Sequence, residues 1–455
     1  MYIQDTITAI ATGFGVGAIG IIRISGKNAF NIIERLSFLK KAAIKPNTLN
    51  LCYITNPLSQ KTIDQVLISY MPGPRSFTGE DVIEINCHGG RVVLNSIIEL
   101  ILNEGARLAA PGEFSKRAFL NGKIDLVQAE AIMDLISAKT DAGAAIALGQ
   151  MQGTLSLRIK ALRVQLLNVL SEIEATIDFP EDMASEVLSK YETILENSLG
   201  EVENLLKHSD EGQIYREGIS VAIVGLPNVG KSSLLNYLLG TERAIVSEIP
   251  GTTRDTIEEF CNIDGVPFKI IDTAGIREIS NKVEVEGIRR SRQTIEMADL
   301  VLCVVDLSTE MQADEKEILA LIIEKNKKCI IVGNKYDLLS NHRKLNIERK
   351  ADVIISLVEK TGLENLKKIL LKSINIHNLR NNESDISVSN SRHIEKLIHA
   401  KNALELVRIT ARQKLPIDLW SIDIREALLA LGEITGDDIS DQIIDNIFVH
   451  FCIGK

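Results

Sequence analysis

Between a run of apolar, largely β-branched residues ending at Val224 and an apolar helical pattern beginning at Leu234, the chain reads Gly225-Leu226-Pro227-Asn228-Val229-Gly230-Lys231-Ser232-Ser233. Its glycines let the backbone curl. The loop N–H groups and the N-terminus of the following helix then face a common centre, which suits a chain of phosphates. Lys231 supplies a cation for the outer phosphates and Ser232 a hydroxyl for magnesium. A second element, Asp272-Thr273-Ala274-Gly275, follows the apolar run Phe268–Ile271. An aspartate at a strand end holds magnesium through water there, and the glycine approaches the terminal phosphate. Between the two, Gly251-Thr252-Thr253-Arg254-Asp255 reads as a switch loop in which Thr253 binds magnesium once that phosphate is present. Ile276, just after Gly275, has no group to orient an attacking water. Either hydrolysis is negligible or another residue and another charge assist it; the switch loop favours assistance.

The elements that must hold these loops are legible from the pattern around them. From 217 to 376, short apolar strands (Ile219–Val224, Phe268–Ile271, Leu300–Val305, Cys329–Val332, Val353–Ile355) alternate with helical stretches. That alternation predicts a mostly parallel α/β sheet covered on both faces. Residues 1–120 carry β-branched runs broken by turn residues, among them Ile19–Ile24, Val66–Tyr70 and Val82–Ile85, which read as a small α+β domain. Residues 121–212 change to apolar spacings of three and four, with no proline before Pro180, and helices are expected. A polar run, Asn378–Asn390, reads as a linker. Helical patterning in 378–455 is expected to pack with 121–212 as one bundle interrupted by the α/β insertion. Gly15-Val16-Gly17-Ala18-Ile19-Gly20 fits a dinucleotide-binding pattern but runs into a strand instead of opening a helix, so a hairpin turn is expected.

At 455 residues the chain is too long for one ordinary core; about 150 residues per domain points to three. No stretch approaches the roughly 18 apolar residues of a membrane span, and the first residues carry no signal pattern, so a cytoplasmic location is expected. The Cys452-Ile453-Gly454-Lys455 ending does not suit prenylation. Six scattered cysteines without CxxC pairing predict reduced thiols and no structural zinc. A net charge of −10 excludes non-specific coating of nucleic acid, so any RNA contact is local or shared with a partner.

Asn334-Lys335-Tyr336-Asp337, after the strand ending at Val332, resembles the guanine-reading element of translation-factor-type GTPases. In those proteins the aspartate accepts hydrogen bonds from the guanine ring nitrogen and amino group, which adenine cannot match, and the nucleotide implied is GTP. Ser356-Leu357 stands where such GTPases have Ser-Ala. The flanks carry a wider resemblance. Asp5-Thr6-Ile7, Gly20–Gly26, Phe77–Asp81 through His88-Gly89-Gly90, Ala110–Phe114 through Arg117–Asn121, and the Cys-x-Gly-Lys ending resemble, in order and spacing, the tRNA wobble-uridine modification GTPase family MnmE (TrmE). The ribosome-assembly GTPases Era and Der, which share the loop asparagine, lack these flanks.

That resemblance implies an N-terminal α+β folate-binding-like domain that also dimerises, a helical bundle and an inserted Ras-like P-loop G domain. It implies potassium held by Asn228, Ser247, Thr252 and the backbone of Ile249 where an arginine finger would act, and a water-positioning role for Glu284. Residue type alone leaves Glu284 as one more solvated acid between Glu278 and Glu286. The resemblance further implies a tetrahydrofolate derivative bound by Arg23, Glu80, Lys123 and Lys455, with the flavoprotein MnmG as partner and tRNA as substrate. Unaided, Arg23 reads as a solvated strand residue and Glu80 as a cap for the turn at Gly79. Cys452 has two readings: a reactive thiol beside the Lys455 cation, or a buried bystander. The rival function is a regulatory GTPase switch without modification chemistry.

Overall fold

Alternation along Ile22-Arg23-Ile24 sends the isoleucines to one face of a sheet and the arginine to the other. The computed structural model describes residues 5–13, 15, 17–40, 44–178, 185–241, 259–271, 292–339, 351–374 and 387–454. In chain order the described elements begin β1 (Ile7–Ile10), β2 (Ile19–Ser25), α1 (Ala29–Ser37), β3 (Leu49–Thr55), β4 (Thr62–Met71), β5 (Val82–His88), α2 (Arg91–Asn103), β6 (Arg107–Leu108) and α3 (Glu113–Leu120). Helices α4 (Leu126–Ser137), α5 (Asp141–Met151), α6 (Thr154–Asp178), α7 (Ser185–Leu206) and α8 (Ser209–Glu217) follow. Then come β7 (Ile219–Val224), α9 (Lys231–Thr241), β8 (Glu259–Ile263), β9 (Val266–Ile271), β10 (Leu300–Asp306), α10 (Ala313–Glu324), β11 (Lys328–Asn334), β12 (Val353–Ile354) and α11 (Leu363–Ser373). The last are α12 (Ser391–Arg412), α13 (Asp418–Thr435) and α14 (Asp441–Phe448).

Two compact units result: Met1–Met133, Gln150–Ser198 and Asn402–Lys455 in the first, Asp134–Gly149 and Leu199–Lys401 in the second. The first contains a six-stranded sheet of order β3-β4-β5-β2-β1-β6, antiparallel except where β6 joins β1. Strands β1 and β2 form the hairpin expected around Gly15–Gly20, with Ile7 opposite Ser25 and Ile10 opposite Ile22. On one face Ile22, Ile24, Ile68, Ile83 and Ile85 pack against α1 and α2. Arg23 and Ser25 point to the opposite face with Ile7 and Ala9, which pack against Phe114 of α3. Elsewhere in this unit α13 packs along α6, and Phe448 and Phe451 of the chain's end fill a cluster with Leu126 and Phe119.

The second unit contains a six-stranded sheet of order β12-β11-β10-β7-β9-β8, parallel except for the β8 edge. Strand β10 is buried along its whole length, as a strand covered on both faces must be. Leu302 and Val304 pack with Leu234, Leu235 and Leu238 of α9 and Leu363 and Leu366 of α11, whereas Val301, Cys303 and Val305 pack with Ile318 and Ile322 of α10. One expectation fails here. The described end of the supposed linker, Ser387–Asn390, is buried. A Cβ on Gly212 of α8 would lie only 2.4 Å from Ser387 Oγ, so α8 lies directly against this segment. Polar composition misread it because its apolar member, Val388, is single and fully buried.

Among the described residues no helix is long and apolar enough to cross a membrane. All six cysteines are free thiols. Burial pushes Cys52, Cys87 and Cys329 up to about 11 and Cys303 up to about 12, so these four are poor nucleophiles.

Phe448, 2% exposed, stacks within 4.8 Å of Phe451 and 6.3 Å of Phe119, ring centroid to centroid. Phe448→Ala is expected to cost about 3–5 kcal/mol of stability in this unit. The sole tryptophan, buried Trp420 in the same unit, reports the loss as a lower urea midpoint in fluorescence, and an unchanged midpoint would contradict the packing described.

Candidate functional site

Strand β7 delivers the chain to Gly225 beside β10. There φ is +145°, and a Cβ would lie 2.2 Å from the Val304 carbonyl oxygen, so only glycine fits. Asn228 takes a left-handed φ of +64°, which asparagine tolerates better than most residues. Gly230, at φ +105°, leaves room for Asn334, whose Nδ2 would lie 2.2 Å from an added Cβ. Val229 is buried between them. Helix α9 begins at Lys231, placing Ser232 and Ser233 in its first turn with no acidic side chain there to oppose an anion. Lys231 Nζ donates to the Gly225 and Leu226 carbonyls at 2.8 and 2.7 Å, so the side chain folds back over the loop, and burial pushes its ammonium below its ordinary pKa. The result is a concavity of backbone amides, a helix N-terminus and one lysine, the chemistry of a phosphate site.

The parallel register sets Asp306 at the end of β10 opposite Asn334 at the end of β11, so the base-reading candidates emerge beside the phosphate loop. Asn334 Nδ2 donates to Val229 O at 2.8 Å; its Oδ1 is buried without a hydrogen-bond partner. An orphaned acceptor at this place fits a ligand that brings donors, as a purine amino group does. Lys335 stands at φ +62° with its ammonium 2.6 Å from Asp306 Oδ2. Burial works against the Asp306 charge, but Lys335 and Ser308 outweigh it and hold the carboxyl below its ordinary value. Fully buried Ser356 donates from Oγ to Asp337 Oδ1 at 2.5 Å and accepts from Glu359 N at 3.1 Å, fixing the direction of the aspartate. Leu357 packs against the core beneath the loop and would sit 3.4 Å from a Cβ on Gly230; the larger side chain is accommodated where alanine was expected.

Thus Asn228, Val229, Gly230, Lys231, Ser232, Ser233, Asn334, Lys335, Asp337, Ser356 and Leu357 come together beyond the C-terminal ends of the strands of one sheet. Ser247, Ile249, Thr252, Thr253, Asp272, Thr273, Ala274, Gly275, Glu284 and Lys455 lie outside the described residues. Of the magnesium and potassium candidates, the described ones are Ser232 and Asn228.

A second cluster lies in the other unit, on the sheet face away from α1 and α2. Arg23 is not solvated: its guanidinium bonds Glu84 Oε1 at 2.9 and 2.7 Å and the Gly454 carbonyl at 3.1 Å, and it stands over the rings of Phe77 and Phe114. Glu80 accepts from Ser25 Oγ at 2.7 Å and from Arg117 at 3.1 and 3.2 Å, so it is held from the sheet and from α3 instead of capping the turn. Lys123 Nζ donates to Pro74 O at 2.9 Å. Half-buried Cys452 is tied in through its carbonyl, which accepts from Gly112 N at 3.3 Å.

Two participants were not legible as such. Arg117, 2% exposed, joins Asp5, Glu80 and Glu113, while Arg107 bonds Asp5 and Glu113 from outside. Burial would raise the two acids, but hydrogen bonds from Arg107 and Arg117 win, holding Asp5 below its ordinary value and Glu113 down at about 2. The spacing Glu113–Arg117 is a helical ion pair and was the available signal. Asp306 carried a weaker one, an acid closing an otherwise apolar strand.

Two family models match the chain. Residues 6–123 match the family model described as GTP-binding protein TrmE N-terminus, and residues 126–452 that described as MnmE helical domain. The curated tRNA modification GTPase MnmE of Alkaliphilus oremlandii is 45% identical over 469 residues and that of Alkaliphilus metalliredigens 46% identical over 467, each covering 100% of both chains. Among solved structures, an Aquifex aeolicus Era variant bound to GDP.AlF4- is 31% identical over 41% of this chain and 67% of its own, at a TM-score of 0.26.

The Glu113 carboxyl fixes a pH dependence. Its value is about 2 folded against 4.5 for the free group, so its stabilisation is present above 4.5 and is lost as pH falls toward 2. Glu113→Gln is therefore expected to be less stable than the native chain at pH 7, with the gap closing between about pH 5 and pH 2 in denaturation series. A gap independent of pH would contradict the ion-pair account.

Proposed function

The chain belongs to the MnmE family of tRNA modification GTPases, and from that premise we propose that it acts, with the flavoprotein MnmG, on the wobble uridine of certain tRNAs, adding an aminomethyl or carboxymethylaminomethyl group. Binding and hydrolysis of GTP follow from membership; the carbon donor, partner, cation and dimer are the proposal. The working division is 1–120, 121–212, 217–376 and 378–455, with pairing of two copies through the first segment.

The observation that carries the one-carbon reading is that the chain's end meets Arg23: Gly454 O accepts from its guanidinium, two residues beyond Cys452. The described tail is thus held at Arg23 through Gly454 and at Gly112 through the Cys452 carbonyl. A tetrahydrofolate derivative would supply a one-carbon unit at its reduced pterin. Arg23 and the lysines suit its glutamate carboxylates, and Glu80, directed by Ser25 and Arg117, suits an aminopyrimidine edge that donates two hydrogen bonds.

In the nucleotide site Lys231 would neutralise the outer phosphates, and Ser232 with Thr253 would hold magnesium, which would supply further positive charge there. Asn228, Ser247, Ile249 and Thr252 would hold potassium, which would supply positive charge to the developing transition state. Glu284 orients the attacking water, the task for which Ile276 has no group. Asp337 and Asn334 select guanine.

Steady-state turnover is expected to be faster in potassium than in sodium chloride by about tenfold or more. Glu284→Ala should bind GTP normally and lose on the order of a hundredfold in kcat. Equal rates in the two salts remove the cation from the mechanism. For the wider reading, mass spectrometry of tRNA nucleosides from cells lacking the chain should show wobble uridines without the aminomethyl-type group. An unchanged nucleoside profile favours the regulatory switch, as does failure of the full chain to bind a tetrahydrofolate derivative in equilibrium dialysis.

A further inference from the structure

We propose that Asp306 is a positioning residue for guanine-nucleotide binding, acting through Lys335; this rests on the reading of the Asn334–Asp337 loop as base-contacting. Asp306 closes β10 with only 8% of its surface exposed. Its two carboxylate oxygens have different tasks. Oδ1 accepts from Ser308 N at 2.9 Å and Ser308 Oγ at 2.6 Å, which fixes the carboxylate plane to the loop after β10. Oδ2 is thereby turned across to β11, 2.6 Å from Lys335 Nζ. The lysine backbone is itself fixed, in the left-handed region at φ +62°.

A lysine pinned at its backbone and at its ammonium has little freedom between them. Its methylene stem spans the distance between those two anchors. Loose, the same side chain would lose rotamer entropy on ordering against a ligand. Preordering removes that cost from binding, so Asp306 contributes to affinity without touching the nucleotide. The pair is only partly buried, and as a plain surface salt bridge it would contribute little. Its effect is expected in ligand affinity and not in the stability of the unliganded chain.

A double-mutant cycle on the full chain tests this, with Kd for a fluorescent GDP analogue as the readout. Lys335→Met alone should weaken binding; if it does not, the base-contacting reading of the loop fails, whatever Asp306 does. Given that loss, Asp306→Asn should weaken binding about tenfold in the native background and less than about twofold in the Lys335→Met background. Equal losses in both backgrounds, or none in the native one, overturn the proposal. Ser308→Ala, which removes one of the two hydrogen bonds to Oδ1 while leaving the backbone one and the ion pair's charges in place, should repeat the pattern with a smaller factor and serves if Asp306→Asn fails to fold. Additive behaviour of Ser308→Ala also overturns it.

Discussion

One buried hydrogen bond, from Asn334 Nδ2 to the Val229 carbonyl at 2.8 Å, joins the loop read as gripping phosphates to the loop read as choosing the base. It forms because β7, β10 and β11 run parallel, with Val224 opposite Cys303 and Asp306 opposite Asn334, and because Gly230 has no side chain in the way. A nucleotide is rigid enough that the two ends of its site must be held at a fixed separation. Sheet register supplies the coarse spacing and this contact the fine one. The buried, partnerless Oδ1 of the same side chain lies at that junction, where a ligand's donor would compensate it.

The other unit is organised around a different constraint, a buried arginine. Arg117 inside an apolar face is tolerable only if its charge is met, and Asp5, Glu80 and Glu113 meet it. The arrangement fixes the chain's first strand, the turn after Gly79 and helix α3 to one another. It also leaves Glu80 directed and ionic, and Arg23, one strand over, paired with Glu84 and capped by the chain's last described residues. A charged cluster of this kind is costly for stability unless each of its charges is met.

Much of this was legible from sequence because it is local. The strand Ile219–Val224 was delimited as the structure has it, since a largely β-branched run between a polar stretch and a glycine reads best as a strand. The hairpin at Gly15–Gly20 was legible for the same reason, an apolar strand following where a helix would be needed. What escaped is non-local. Arg117 finds Asp5 and Glu80 across 112 and 37 positions of chain, and no spacing rule spans such distances. Ser387–Asn390 looked like linker because burial of one valine among polar residues leaves no periodic signal. Leu357 fits because the core beneath has room that no sequence pattern reports.

The account turns on guanine selectivity beyond the C-terminal strand ends of one sheet. Titration calorimetry of the full chain with GDP and with ADP, magnesium present, measures it directly. If Asp337 accepts from the ring N–H and amino group of guanine, a pairing adenine cannot match, the site should prefer GDP by at least about a thousandfold. Comparable affinities for the two nucleotides would contradict the assignment of the Asn334–Asp337 loop and, with it, the account of the site.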